Sequence, residues 1–417
     1  MNGRAEMNAG LLLLLALMAA TVCALAYGAA TVLVKLLSRP WRQAAETHWS
    51  ERARLAFAPG FAALLLIAVL PGVMGLVGEV GLGIINPRLQ KGMDGFWIAA
   101  LAALAGVMTV RYQWLRRLWG ARVTLRSWLG GCLVLLLLLV PHLVLVVLLL
   151  FLMPDIPNAR AGVTFGAGVI AVAFFACGGG MMLLRLIGVV RPAPPAATEL
   201  VRQLARDMKV AGRIKVFQME WAQVNALAFV LYRAVGFSRP LLDVMTSEEL
   251  RAVAAHELAH LAEPGRVRVV RVAHMFAYLP LVPLAKYGGF QGVLGAYGLF
   301  VVMMFAFRRF THRLEQRADR LECEAILDPN AYMRSLIKLH EANLIPAVMP
   351  GSQTHPHLYD RLLAGGIQPD FPRPMAPSRV KPLLAVLIAT LITTILASVV
   401  VIACGVVLRV AASFPKG

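Results

Sequence analysis

Residues 10–37 carry no charged side chain before Lys35, and residues 57–85 carry none except Glu79. Runs of this kind settle the fold class first, because about 20 consecutive apolar residues are what a helix needs to cross a bilayer. Further apolar runs occupy residues 96–110, 127–153, 160–190, 272–308 and 383–410. Of the 417 residues, 59% are hydrophobic and 15% charged, less charge than a soluble protein of this size carries. The chain is therefore expected to be mainly α: a polytopic membrane protein of transmembrane helices in contact with the lipid bilayer, with one modest polar domain. The first run is longer than a signal-peptide core and reads as a retained span.

The runs carry packing and orientation signals. Gly72, Gly75, Gly78 and Gly81 recur every three residues, which places small residues near one side of the second helix. Gly162 and Gly166 have GxxxG spacing in the fifth run. Glu79 is expected to face protein or water. Pro141-His142 interrupts the fourth run. Loops 38–56 and 111–126 hold four and five Lys/Arg, whereas loops 86–95 and 154–160 hold two and one. The positive-inside rule puts the first pair in the cytoplasm and, by counting crossings, the polar region after residue 190 as well. The net charge of +19 then reads as basic loops against anionic lipid, and nucleic acid is not an expected partner. The five cysteines show neither metal-like nor disulfide-like spacing.

In the polar region, Thr198–Met208 reads as a helix and Ile214–Met219, Ala226–Tyr232 and Arg239–Val244 as strands. Next comes a helix with Thr246 as N-cap and Glu249 completing a capping box. Its apolar face is Leu250, Val253, Ala254 and Leu258. His256-Glu257-Leu258-Ala259-His260 lies on it. Imidazoles four residues apart share a helical face and can grip one zinc ion, while Glu257 can act as base on a water. The bland alternative is an amphipathic helix with structural histidines, and a third ligand decides between them. Glu315 and Asp319 are four apart on a second helix. Glu315 can complete the set, leaving the fourth position for water. Asp319 can accept a hydrogen bond from a ligating imidazole. Both helices must meet at one metal, so segment 272–308 between them crosses the membrane an even number of times, or only dips into it or docks on the protein. A membrane-embedded hairpin is the expectation.

Four segments fall in a telling order: Asn225-Ala226-Leu227-Ala228-Phe229, Glu248 through His260, Glu315-Gln316-Arg317-Ala318-Asp319, and Thr354-His355-Pro356 followed by Arg361. As a set, over about residues 198–365, they make the chain resemble the integral-membrane zinc metalloproteases that include the bacterial heat-shock membrane protease and the CAAX prenyl endopeptidase. Thr311-His312 stands where that family usually carries Ser-Arg. The resemblance implies a cytoplasmic α+β domain of zincin (gluzincin) type on the inner (plasma) membrane. It implies one Zn2+ per chain on His256, His260 and Glu315, with Glu257 as catalytic base and Asp319 behind the ligands. His355 or Arg361 would face the oxyanion. Asn225, with Ala226 and Ala228, would hold a protein or peptide substrate along a strand edge.

The expected organisation is a membrane domain of about five spans at 1–190, a protease domain at 191–366 interrupted by 272–308, and a Pro-rich tether with a final span at 367–417. The expected activity is endopeptidase cleavage of membrane or membrane-associated proteins at the cytoplasmic face. Two alternatives stay open: a non-catalytic zinc-binding scaffold or regulator, and a processing protease for lipidated peptides. The intact Glu257 argues against the scaffold.

Overall fold

The computed structural model describes residues 2–85, 94–325, 329–350 and 357–413. Within them the side chains of 2–14, 82, 84–85, 94–95, 319–320, 322–325, 329 and 404–413 lie outside the description. The first helices are α1 (Asn2–Leu37), α2 (Arg39–Gln43), α3 (Trp49–Ile85) and α4 (Asp94–Trp119). After them come α5 (Leu125–Val134), α6 (Pro141–Leu152), α7 (Ala159–Ala176) and α8 (Gly179–Leu186). A sheet region follows, with β1 (Val190–Pro192), α9 (Pro195–Asp207), β2 (Lys215–Met219), β3 (Ala226–Phe229), β4 (Ala234–Ser238) and α10 (Arg239–Val244). The chain continues as α11 (Ser247–Leu261), α12 (Gly265–Ala277), α13 (Leu281–Tyr287) and α14 (Gly289–Ala325). It ends with α15 (Pro329–Asn343), α16 (Leu358–Ala364) and α17 (Val380–Ser413). The mostly helical architecture with a small sheet is the one the sequence leads us to expect.

Seven helical stretches among the described residues are long and apolar enough to cross a membrane: 15–37, 49–81, 96–122, 159–176, 265–287, 289–318 and 380–403. An eighth candidate is a pair of helices, 125–139 and 141–152, bent by 82°. The bend has a local cause. Residues 135–139 form a π-helical turn, and Pro141 at the start of α6 has no N–H to continue the ladder.

The chain divides into two compact units. One comprises Met1–Gly120, Leu344–Pro350 and Phe371–Gly417. Its core is built on i, i+4 rows: Val22, Ala26 and Ala30 on α1, Leu66, Leu70 and Met74 on α3, and Ala99, Ala103 and Val107 on α4. Small residues let these helices approach closely. A Cβ on Gly106 would stand 2.6 Å from the Cys23 carbonyl oxygen, so only glycine fits where α4 meets α1. Of the glycines expected to pack, Gly75 sits against the Phe96 ring, but Gly72, Gly162 and Gly166 have nothing within 4 Å of where a Cβ would be. The GxxxG pair of α7 is therefore not a packing contact. Glu79 is half-buried and accepts the Phe96 backbone N–H at 3.3 Å, in the first turn of α4, where a helix dipole favours a carboxylate.

The other unit comprises Ala121–Asn343 and Gly351–Asp370. Its sheet has the order β1-β2-β4-β3. β2 runs parallel to β4, and the outer strands pair antiparallel. The strand expected at Arg239–Val244 is instead the short helix α10, and the strand lies just before it, at β4. Physics explains the shift. Ser238 caps α10 by accepting the Leu241 N–H, Pro240 suits a first helical turn but not a ladder, and Ala234 to Ser238 are buried throughout. The expected Ala226–Tyr232 strand stops at Phe229, because residues 230–232 form a 3-10 turn ended by Arg233 at φ +49. The fifth apolar run also breaks early. Gly178 at φ +104 separates α7 from α8, and β1 occupies the run's last residue and the two after it.

Candidate metal centre

The capping box written into the sequence is formed. The Thr246 hydroxyl accepts the Glu249 N–H at 3.3 Å, and Glu249 returns the bond to the Thr246 N–H at 2.8 Å. α11 buries Val253, Ala254 and Leu258 against the sheet core. That fixes its rotation and turns His256, Glu257 and His260 toward α14. Glu315, late on α14, meets them. Its Oε2 lies 3.6 Å from His256 Nε2 and 3.5 Å from His260 Nε2. Among the described residues this is the one group of three or more metal-type side chains whose donor atoms all fall within 4.8 Å of one another.

The fit to a metal can be tested on those distances. Ligands bound at 2.0–2.1 Å in a tetrahedral array stand about 3.4 Å apart. The observed separations match that value. The side chains are 12%, 11% and 22% exposed and Glu315 Oε2 is buried, so the donors are screened from bulk water. Two imidazoles and a carboxylate are a three-ligand set that leaves a tetrahedral metal one open position.

The surroundings orient each imidazole. His260 Nδ1 lies 3.3 Å from Glu263 Oε1. Arg271 on α12 holds Glu263 through two bonds, Nε to Oε2 at 3.0 Å and Nη2 to Oε1 at 2.7 Å. His256 Nδ1 lies 3.3 Å from the Tyr332 hydroxyl on α15, which also accepts a bond from Arg361 Nη2 at 2.8 Å. Arg317, two residues after Glu315, donates to the Ala262 carbonyl at 3.4 Å and ties α14 to the end of α11.

Electrostatics follow from this packing. Burial works to raise the Glu263 carboxyl, but His260 and Arg271 outweigh it and hold the group below its usual range. Burial works to lower His260, but bonds to Glu263 and Glu315 and the charge of Glu257 push it up to about 9 in the metal-free chain. Loading a metal there displaces a proton. For Glu257 burial wins. Its pKa is raised, with the Glu315 charge adding to the rise and His256, His260 and the Ala228 backbone N–H opposing it.

β3 is the outer strand of the sheet, and no strand pairs with its far side among the described residues. Ser238 N–H bonds the Asn225 carbonyl at 2.9 Å, and Asn225 N–H bonds Ser238 Oγ at 2.9 Å. By the alternation of an antiparallel ladder, the backbone groups of Ala226 and Ala228 then face the open edge. The Ala226 N–H is held by Asn225 Oδ1 at 3.0 Å and the Ala228 N–H by Glu257, so the edge touches the site at Ala228.

Of the residues expected from sequence, His256, Glu257, His260, Glu315 and Ala228 come together here, and Arg361 reaches the site through Tyr332. Asn225 shapes the strand edge, not the metal set. His355 lies outside the described residues, as does the side chain of Asp319. Two contributors went unread. Glu263 is three residues after His260, a helical neighbour that spacing alone could have flagged. Tyr332 has no signal in the sequence, because only the packing of α15 on α11 brings it to His256.

No curated protein matches the chain. Residues 195–364 match the family model described as peptidase family M48, a stretch that opens on the first residue of α9 and closes on the last of α16. That stretch, with its His-His-Glu group, is similar to the metallopeptidases of family M48, the family of the bacterial heat-shock membrane protease and the CAAX prenyl endopeptidase.

Proposed function

We propose that the protein is a zinc-dependent endopeptidase of the inner membrane that cleaves membrane or membrane-associated proteins at the cytoplasmic face. The observation that carries this is the convergence of His256, His260 and Glu315 donor atoms within 4.8 Å of one another beside Glu257 and the open edge of β3. The seven candidate spans and the excess of Lys/Arg in loops 38–56 and 111–126 support the location and side. The catalytic domain is assigned to residues 191–366, with candidate spans before, within and after it in the chain.

His256, His260 and Glu315 would hold zinc, which would supply Lewis acidity toward a carbonyl and acidify water. The chain's own residues do the rest. A peptide laid antiparallel on β3 pairs with the outward carbonyls of Ala226 and Ala228, whose N–H groups are held by Asn225 and Glu257, with Asn225 at the strand's start. That places its scissile bond next to Glu257. Glu257 takes the proton of the attacking water and passes it to the leaving amine. Arg361, held by Tyr332 on the His256 side, is positioned to face the developing oxyanion, a role His355 can share.

Glu257→Gln tests this reading. The purified variant is expected to keep one zinc per chain and to lose cleavage of casein or a model membrane substrate. Zinc retained with cleavage also retained would refute the mechanism, and zinc bound by an inert wild type would favour the scaffold.

A further inference from the structure

A pocket of about 760 Å³ opens between α8, β1 and β2. Its described lining includes Arg185, Arg191 and Lys215 and no acidic residue. A fourth cation, Arg126 on α5, reaches the rim. Arg126 Nη2 and Arg191 Nε both donate to the Gly188 carbonyl, at 3.4 and 3.2 Å. Two guanidinium groups thus converge on one neutral oxygen. The guanidinium of Arg185 rests over the Phe217 ring, 5.6 Å from its centroid. None of the four cations has an ion-pair partner among the described residues, and all are exposed. Like charges gathered this way repel, and an anion between them turns that repulsion into charge-assisted hydrogen bonds. Guanidinium forks match phosphate oxygens, and the ammonium of Lys215 adds a point charge.

The rim says where the anion comes from. α8 follows directly on the candidate span 159–176 and buries one face while exposing the other. Met182 is 51%, Leu186 75% and Ile187 56% exposed. A short helix with bare aliphatic side chains next to a cationic pocket, at the end of a span, is the pattern of an element lying in the headgroup layer. We propose that this pocket binds the phosphate of an anionic phospholipid, with Met182, Leu186 and Ile187 among its acyl chains. The proposal is independent of the zinc chemistry.

The test uses the full-length protein in nanodiscs of phosphatidylcholine mixed with phosphatidylglycerol, read by native mass spectrometry for lipid retained on release. The triple variant Arg185→Gln/Arg191→Gln/Lys215→Gln is expected to lose retained phosphatidylglycerol, by about fivefold for each cation removed. The control Arg202→Gln/Lys209→Gln/Arg213→Gln, with the same loss of charge elsewhere, is expected to retain it as the wild type does. Arg185→Lys/Arg191→Lys keeps the charge and is expected to keep most of the lipid, which separates loss of binding from loss of fold. Equal retention by the triple variant and the wild type overturns the proposal. So does complete displacement by inorganic phosphate, which marks a free-anion site, or tighter binding of an acidic peptide than of the lipid.

Discussion

Replacing Glu263 by Gln is expected to weaken the metal site without touching a ligand. Glu263 is 3% exposed and joins His260 on one side to Arg271 on the other. Gln keeps the volume and one acceptor oxygen but removes the charge. Breaking a buried ion pair costs about 3–5 kcal/mol when the remaining charge is fully buried. Arg271 keeps 23% of its side-chain surface in water, so the loss in stability should be smaller, about 1–3 kcal/mol. The imidazole also loses the carboxylate that fixes its orientation and basicity. Such outer contacts are worth about 10–100-fold in metal affinity, or about 1.4–2.7 kcal/mol. Competition for zinc against a chromophoric chelator, run on detergent-purified wild type and variant at one pH, reads the affinity, and a thermal melt reads the stability. The double variant Glu263→Gln/Arg271→Met should melt higher than Arg271→Met alone, because it leaves no buried charge unpaired. Zinc affinity of Glu263→Gln within about twofold of wild type would refute the claim that Glu263 positions His260.

Tyr332→Phe removes the hydroxyl that lies between His256 and Arg361, and we expect kcat/KM to fall about 10–100-fold with zinc content unchanged; a loss confined to zinc content would contradict this. Glu249 gives a pH prediction. Burial works to raise its carboxyl, but Lys338, at 2.7 Å, and the Thr246 N–H hold it below its usual range. A depressed carboxylate stabilises the fold above its unfolded pKa of about 4.5 and loses that contribution as pH falls through the lower folded value. Lys338→Met should therefore lower stability by about 1–3 kcal/mol at neutral pH, with the gap to wild type closing below pH of about 4.5, as denaturant melts across pH will read. In the other unit, Gly106→Ala drives a methyl into the α1 backbone and should cost about 1–3 kcal/mol, whereas Gly72→Ala meets open space and should be neutral or slightly stabilising in the same thermal melt.

Local chemistry made much of this protein readable from its sequence. The Thr246–Glu249 box and the His256/His260 spacing are short-range facts about helices and appear in three dimensions as written; of the apolar runs, the fourth bends at Pro141 and the fifth breaks at Gly178. The errors came where a local signal competed with another. Arg239–Val244 looked like a strand on composition, yet the Ser238 cap and Pro240 made it a helix. Gly162 and Gly166 looked like a packing motif, but packing needs a partner face, and among the described residues none lies within 4 Å of a Cβ there.

The sequence by itself determined the capped helix that carries His256 and His260, the apolar runs and the identity of the metal-type side chains, because those depend on neighbours a few positions away. Only the tertiary structure decided that Glu315 arrives 3.5–3.6 Å from both imidazoles, that Glu263 and Tyr332 orient them, and that Arg126 and Arg191 meet at the Gly188 carbonyl on a pocket lined by Arg185 and Lys215. Those meetings join residues far apart in the chain. They follow from which helix faces are buried together, a property of the packed whole that no short window contains.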